Sequence, residues 1–322
     1  GLGFTTAYEY LERRFGVAAR TVASALFIVQ TLLRASILVY SPALALSTLT
    51  GWSVESAILV AAVSAILYSA FGGIGAVVWT DLIQMGVIVG GVLWCLVLAV
   101  GDVPGGWEAV MDHARARDAL EAVTTEWTPT TPMTLVGALV PYMVLALSLF
   151  GTGQQAVQRF LSCRDLASAR RAAVTGWAAG TLTLGLTLFL GVVLGAWLAL
   201  APAARGLEAG TGDAILPLFV GARLPAGLEG LMLAAIFAAS MSSLDSAIHS
   251  ISTAVIVDFQ RRFSKRGRDV RAELRLARVV TAGVGVLATA GALYAAERDA
   301  LILETLVTWL GYFAGPLLGL FL

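Results

Sequence analysis

The chain has 322 residues, 58% of them hydrophobic and 13% charged, with 21 basic and 21 acidic side chains, and its mean hydropathy is +0.84. That apolar share exceeds what a soluble domain carries and places the chain in a lipid bilayer. Zero net charge and short basic clusters give no support to a nucleic-acid partner, and the two cysteines, Cys95 and Cys163, form neither a disulfide framework nor a zinc pattern.

Residues 1–20, GLGFTTAYEYLERRFGVAAR, are amphipathic and lack the apolar core of a signal peptide, so the sequence is expected to begin mid-protein, in a loop. Beyond them, apolar runs long enough to cross about 30 Å of hydrocarbon predict eight helical spans in one transmembrane domain. These are 21–49, 55–71, 77–100, 133–158, 172–200, 227–258, 279–296 and 301–322. Basic residues set the orientation, because short loops rich in Lys and Arg stay cytoplasmic. With eight crossings, the clusters around Arg13, Arg14 and Arg20, around Arg159 to Arg171, and from Arg261 to Arg278 fall on one side and carry 15 of the 21 basic residues. Both ends of the chain are then cytoplasmic, in an integral protein of the inner or plasma membrane. The loops 101–132 and 201–226 face outward, the former with Trp107, Trp127, Pro129 and Pro132 suited to the membrane surface.

A charge near the bilayer centre costs about 2.5–3.5 kcal/mol on insertion scales and needs a partner or a water-lined cavity. Arg34 lies in the first span, roughly 20 Å from its start at 1.5 Å per residue, and no acid shares that span. Two readings stand: pairing with an acid or helix end elsewhere, or holding the carboxylate of a solute with its planar fork of donors. Asp81 begins the third span near the interface, where hydration alone accounts for it. The fourth span carries Pro141 and then Gly151 and Gly153 in LFGTGQQAVQRF, a pattern either of a helix interrupted beside a cavity or of a helix that ends.

In the sixth span, residues 239, 242, 243, 246, 250 and 253 follow helical spacing and are Ala, Ser, Ser, Ser, Ser and Thr. Close packing of membrane helices explains small residues on a stripe. It does not explain Asp245 beside them. Serine hydroxyls with one or two carboxylates suit sodium, a hard cation that takes oxygen ligands, rather than zinc or iron. No Walker loop, HExxH motif or nucleophile elbow occurs, and His113 and His249 are the imidazoles, so no enzyme signature is present.

Five phrases in order, YEYLERRFG, VYSPALALSTLTG, YSAFGGIGAVVWTDLIQ, GTGQQAVQRFLSCRD and AASMSSLDSAIHSIST, resemble the sodium/solute symporter family. Its members carry sugars, proline, pantothenate, monocarboxylates and sialic acids. The resemblance implies an all-α membrane protein of leucine-transporter-type inverted-repeat fold, with core helices three to ten present and the first core helices missing, so that each site is only partly held by this chain. It implies sodium-coupled uptake of a small, carboxylated organic solute by alternating access. A transporter-like sensor domain and a sodium/sugar symporter are the alternatives.

By position, the resemblance assigns one sodium site to the Ala239 carbonyl with Ser242 and Ser243, and a second to Asp81, Ser242, Asp245 and Ser246. Arg34 resembles the arginine that sialic-acid carriers use for the substrate carboxylate. Gln154 is implied as a substrate contact and Phe150 as a hydrophobic gate. One departure limits the substrate assignment: sugar-type members place a Tyr or Trp gate where this chain has Leu149 and Phe150. The Asp or Asn usual before the first glutamine is Gly153, so that contact is lost.

Overall fold

The computed structural model describes residues 6–71, 74–120, 135–161, 163–207, 212–263, 270–298 and 301–322, with the side chains of 68–71, 74–82, 135–138, 158, 159, 161, 226 and 270 outside the description. Among the described residues all regular structure is helical. The chain opens with α1, Tyr8–Phe15, an amphipathic helix that buries Tyr8 and Leu11. Gly16, at φ 91°, makes the turn into α2, Val17–Thr50, a conformation that costs glycine least. The helices that follow are α3 (Val54–Phe71), α4 (Ile74–Asp102), α5 (Gly106–Ala116), α6 (Leu135–Leu147), α7 (Gln154–Leu161), α8 (Leu166–Leu200), α9 (Ile215–Arg223), α10 (Ala226–Ala254), α11 (Arg261–Phe263), α12 (Val270–Ala296) and α13 (Ile302–Gly319).

Among the described residues, six helical stretches are long and apolar enough to cross a membrane: Val17–Thr50, Ile83–Asp102, Leu166–Leu200, Gly227–Phe263, Arg271–Ala296 and Ile302–Gly319. The protein is an integral membrane protein. Shorter apolar helices, Val54–Leu67 and Leu139–Thr152, lie where the second and fourth spans are expected. The 101–132 loop folds in part as α5, whose Trp107 ring tilts against Phe189 of α8 at 5.8 Å. Trp127, Pro129 and Pro132 lie outside the described residues.

Two apolar cores organise the bundle. One joins α2, α3, α10 and α12, with Ala35, Val39, Ala57, Ile58, Leu244, Ile248 and Ala288 buried. The other joins α4, α5, α8 and α9 around Trp197, whose ring meets Phe219 edge-on at 4.9 Å. Helix α10 touches both groups, packing on α2 and on α4.

The end of the bundle where α1 begins is closed by charge. Asp258, fully buried in a π-helical turn (Val255–Gln260) that follows α10, accepts from Thr6 Oγ1 at 2.7 Å, Arg20 Nε at 2.8 Å and Ser24 Oγ at 2.7 Å. Arg20 also donates to Glu12 Oε2 at 2.6 Å and to the Val257 carbonyl at 3.2 Å. Arg262 reaches the other Glu12 oxygen at 2.8 Å. The hydrogen bond from Arg20 holds the Glu12 carboxyl below the usual carboxylate range. Sequence reading groups Arg20 with Arg13 and Arg14 as a basic flank, whereas the fold buries it to 7% exposure. The reason is Asp258, a carboxylate remote in sequence that needs a cation if it is to lie in a dry interior.

Removing one member of such a pair strands the other charge. Arg20→Met is therefore expected to destabilise the fold by about 3–5 kcal/mol, whereas Arg115→Ala, which breaks an exposed pair with Asp112, costs at most about 1 kcal/mol. Thermal unfolding in detergent checks this, and equal melting temperatures for the two variants would contradict it.

Candidate functional site

The sixth-span sequence folds as α10, and its two faces do different work. Phe237, Met241, Leu244, Ile248 and Ile251 follow heptad spacing and lock into the core with α2, α3 and α12. At 3.6 residues per turn, Ala239, Ser242, Ser243 and Ser246 fall on the opposite side. Ser242 is 7% exposed and Asp245 1%, while Ser243 and Ser246 are half-buried. Asp245 Oδ1 lies 3.2 Å from His249 Nε2, one turn on. Farther along, Ser250 Oγ donates to the Ser246 carbonyl at 2.7 Å and Thr253 Oγ1 to the His249 carbonyl at 2.9 Å, so these two hydroxyls give their protons to their own helix. The side chain of Asp81, on α4, lies outside the described residues.

Arg34 stands apart from this stripe, on another face of α2. Phe27, Gln30, Thr31 and Arg34 share that face by their spacing and line a pocket of about 30 Å³ with Leu149, Gly153, Gln155 and Leu310. Gln30 is anchored there, Nε2 donating to the Leu310 carbonyl of α13 at 3.4 Å. Arg34 Nη1 donates to Gln155 Oε1 at 3.1 Å.

The far wall of the pocket is the interruption that the fourth-span glycines signal. Helix α6 passes through Pro141 and gives way to a π-helical turn, Ser148–Thr152. Gly153 is then extended at φ −70°, ψ 124°, and α7 restarts at Gln154. Thr152 Oγ1 donates to the Ser148 carbonyl at 2.7 Å, supplying a partner where the helical ladder is disturbed. Ser148 Oγ is fully buried with no hydrogen-bond partner among the described residues. A side chain at 153 has no room, since a Cβ there would lie 2.4 Å from the Leu149 carbonyl oxygen.

The break decides which glutamine faces the pocket. Gln154 is fully buried, and its Oε1 accepts from the Ala7 backbone N–H at 2.8 Å, so this side chain ties the N-terminal segment rather than lining the pocket. Its neighbour Gln155 meets Arg34. Phe150, expected as a gate, is 63% exposed on the π-helical turn and is not part of the pocket wall. Sequence reasoning missed Gln30, Thr31 and Gln155; the spacing of the first two from Arg34 was a usable signal, and Gln155 had none without the break geometry.

Gly153→Ala is expected to displace α7 from the π-helical turn at a cost of roughly 1–3 kcal/mol. Gly151→Ala, where an added Cβ meets nothing within 4 Å, is its silent control. Melting of the purified variants checks the contrast, and an unperturbed Gly153→Ala protein would contradict the geometry.

Comparison with known proteins bears on this arrangement. The Sodium:solute symporter family matches residues 1–322. The sodium/sialic acid symporter SiaT of Proteus mirabilis is 29% identical, the match covering 100% of this chain and 65% of that protein. The sodium-dependent multivitamin transporter of Oryctolagus cuniculus is 30% identical over 99% of this chain and 50% of its own length, and the human sodium-coupled monocarboxylate transporter 1 is 28% identical over 99% and 52%. A solved structure of a sodium-coupled sialic acid symporter, substrate-bound and outward-open, superposes with a TM-score of 0.85 at 28% identity, covering 99% of this chain and 66% of that one. The fold is thus of the leucine-transporter type. The chain spans about half to two thirds of the length of these relatives.

Proposed function

Because the chain belongs to the sodium:solute symporter family, we propose that it supplies ion and solute sites to a sodium-coupled uptake system for a small carboxylated solute, a sialic acid or a monocarboxylate. It works by alternating access, with both ends of the chain cytoplasmic. The observation that carries the reading is α10, which gathers the hydroxyls of Ser242, Ser243 and Ser246 and the buried carboxylate of Asp245 away from its core-locked apolar face. Such oxygens suit a hard monovalent ion. The Ala239 carbonyl with Ser242 and Ser243 forms one sodium site. Asp81, Ser242, Asp245 and Ser246 form the second.

Helix register supports Asp81 as a member. An added Cβ on Gly91 of α4 would lie 2.6 Å from Met232 Sδ of α10, which marks where the two helices cross closely. The third and sixth spans run in opposite directions, so ten residues from that crossing, about 15 Å, bring α4 to Asp81 and α10 to Ser242 at the same depth.

Coupling follows from differential affinity. Sodium stabilises the outward-open conformation, which is also the one that binds solute well. The Arg34 fork takes the solute carboxylate. One sodium ion with one monocarboxylate moves no net charge, so the ion gradient alone drives that cycle. A second ion makes it electrogenic and adds about 2.3 kcal/mol per 100 mV, roughly fiftyfold in the solute ratio. Inward release requires the Arg20–Asp258 and Arg262–Glu12 ties to part.

The test uses the protein with any flanking sequence its gene encodes, in proteoliposomes. Labelled sialic acid or lactate should accumulate above equilibrium under an inward sodium gradient and not under potassium; equal uptake in both would contradict the proposal. Arg34→Lys should raise half-saturation for the carboxylate roughly ten- to hundredfold and leave an uncharged ester little affected.

A further inference from the structure

We propose that Gln155 is a positioning and specificity residue for anion recognition, holding the Arg34 guanidinium in orientation without cancelling its charge. The proposal rests on the reading of Arg34 as the carboxylate anchor. Its basis is the contact across the helix break: Arg34 Nη1 donates to Gln155 Oε1 at 3.1 Å, and both residues line the same small pocket between α2 and the break.

The chemistry of the pair favours recognition over simple packing. A carboxamide presents an acceptor on one side and an NH₂ with two donors on the other. With Oε1 taken by Arg34, the amide keeps two N–H donors for another acceptor. A glutamate at this position would hold the fork as firmly and neutralise it, acting as a resident anion in competition with the solute. The rest of the polar wall, Gln30 and Thr31, carries no charge either. The polar wall therefore sets the Arg34 cation among neutral groups, Gln30, Thr31 and Gln155.

Backbone geometry makes the assignment specific to one of two adjacent glutamines. The extended Gly153, where a Cβ would strike the Leu149 carbonyl at 2.4 Å, sets the rotation of α7. That rotation sends Gln154 to the Ala7 backbone and Gln155 to Arg34. Swapping the roles of the two side chains would need a different break.

The experiment measures uptake by the reconstituted protein of sialic acid and lactate, each against its uncharged methyl ester, for Gln155→Glu, Gln155→Met and Arg34→Met, alone and combined. Gln155→Glu is expected to raise KM for the carboxylate at least about tenfold with kcat within about twofold, and to leave the ester's KM unchanged. Gln155→Met, similar in volume but without the acceptor, should raise the carboxylate KM by about three- to tenfold, an effect that disappears in the Arg34→Met background. A purely structural role would add to Arg34→Met instead. If the wild type takes up neither carboxylate, the functional reading falls and this proposal with it. If the wild type prefers the carboxylate and both Gln155 variants keep its carboxylate-to-ester ratio, the Gln155 assignment alone is overturned.

Discussion

A polar group in hydrocarbon must be met by another part of the protein, because no bulk water is there to meet it. Several partnerships in this structure answer to that rule. Asp258 is met by Thr6, Arg20 and Ser24. Arg34 is met by Gln155. Ser250 and Thr253 turn back on their own helix, and Thr152 covers a carbonyl at the broken helix. Of these, the Asp258 cluster and the Arg34–Gln155 contact join different helices and help fix their relative placement, whereas the others are satisfied within one helix.

The proposed ion and solute residues are distinct from the Asp258 cluster. The Asp258 carboxylate is fully buried and multiply bonded, and its cluster ties α1, α2 and α11 together. The α10 stripe is different: its hydroxyls are small and uncharged, Ser242 buried and Ser243 and Ser246 half-buried, set opposite the face that packs in the core. The Arg34 pocket combines the two characters, with a permanent charge oriented by a neutral amide beside an interrupted helix. The proposed ion and solute residues and the Asp258 cluster thus lie in separate regions joined by α2 and α10, which pack on one another.

Much of this was legible in the sequence. The long apolar runs and the serine stripe with Asp245 follow from periodicity and from the cost of polar groups in lipid, both local properties, whereas the fourth-span glycines leave a break and a helix end both open. What escaped depended on distant segments meeting. Nothing near Arg20 announces Asp258, more than two hundred residues away in the sequence. Gln154 and Gln155 are chemically identical, and only the backbone rotation at Gly153 separates a structural tie from a pocket residue. The resemblance pointed to Gln154; the fold places Gln155 at the pocket, because an extended glycine ahead of α7 sets its phase.

The central claim is that the oxygen face of α10 binds the coupling ion, and the sodium dependence of uptake tests it most directly. In reconstituted protein, Ser243→Ala removes one hydroxyl from a half-buried position without touching the apolar face. The loss of such a ligand is worth about 1–3 kcal/mol, so the sodium concentration for half-maximal uptake should rise about tenfold or more while solute affinity at saturating sodium stays near that of the wild type. An unchanged sodium dependence would contradict the account.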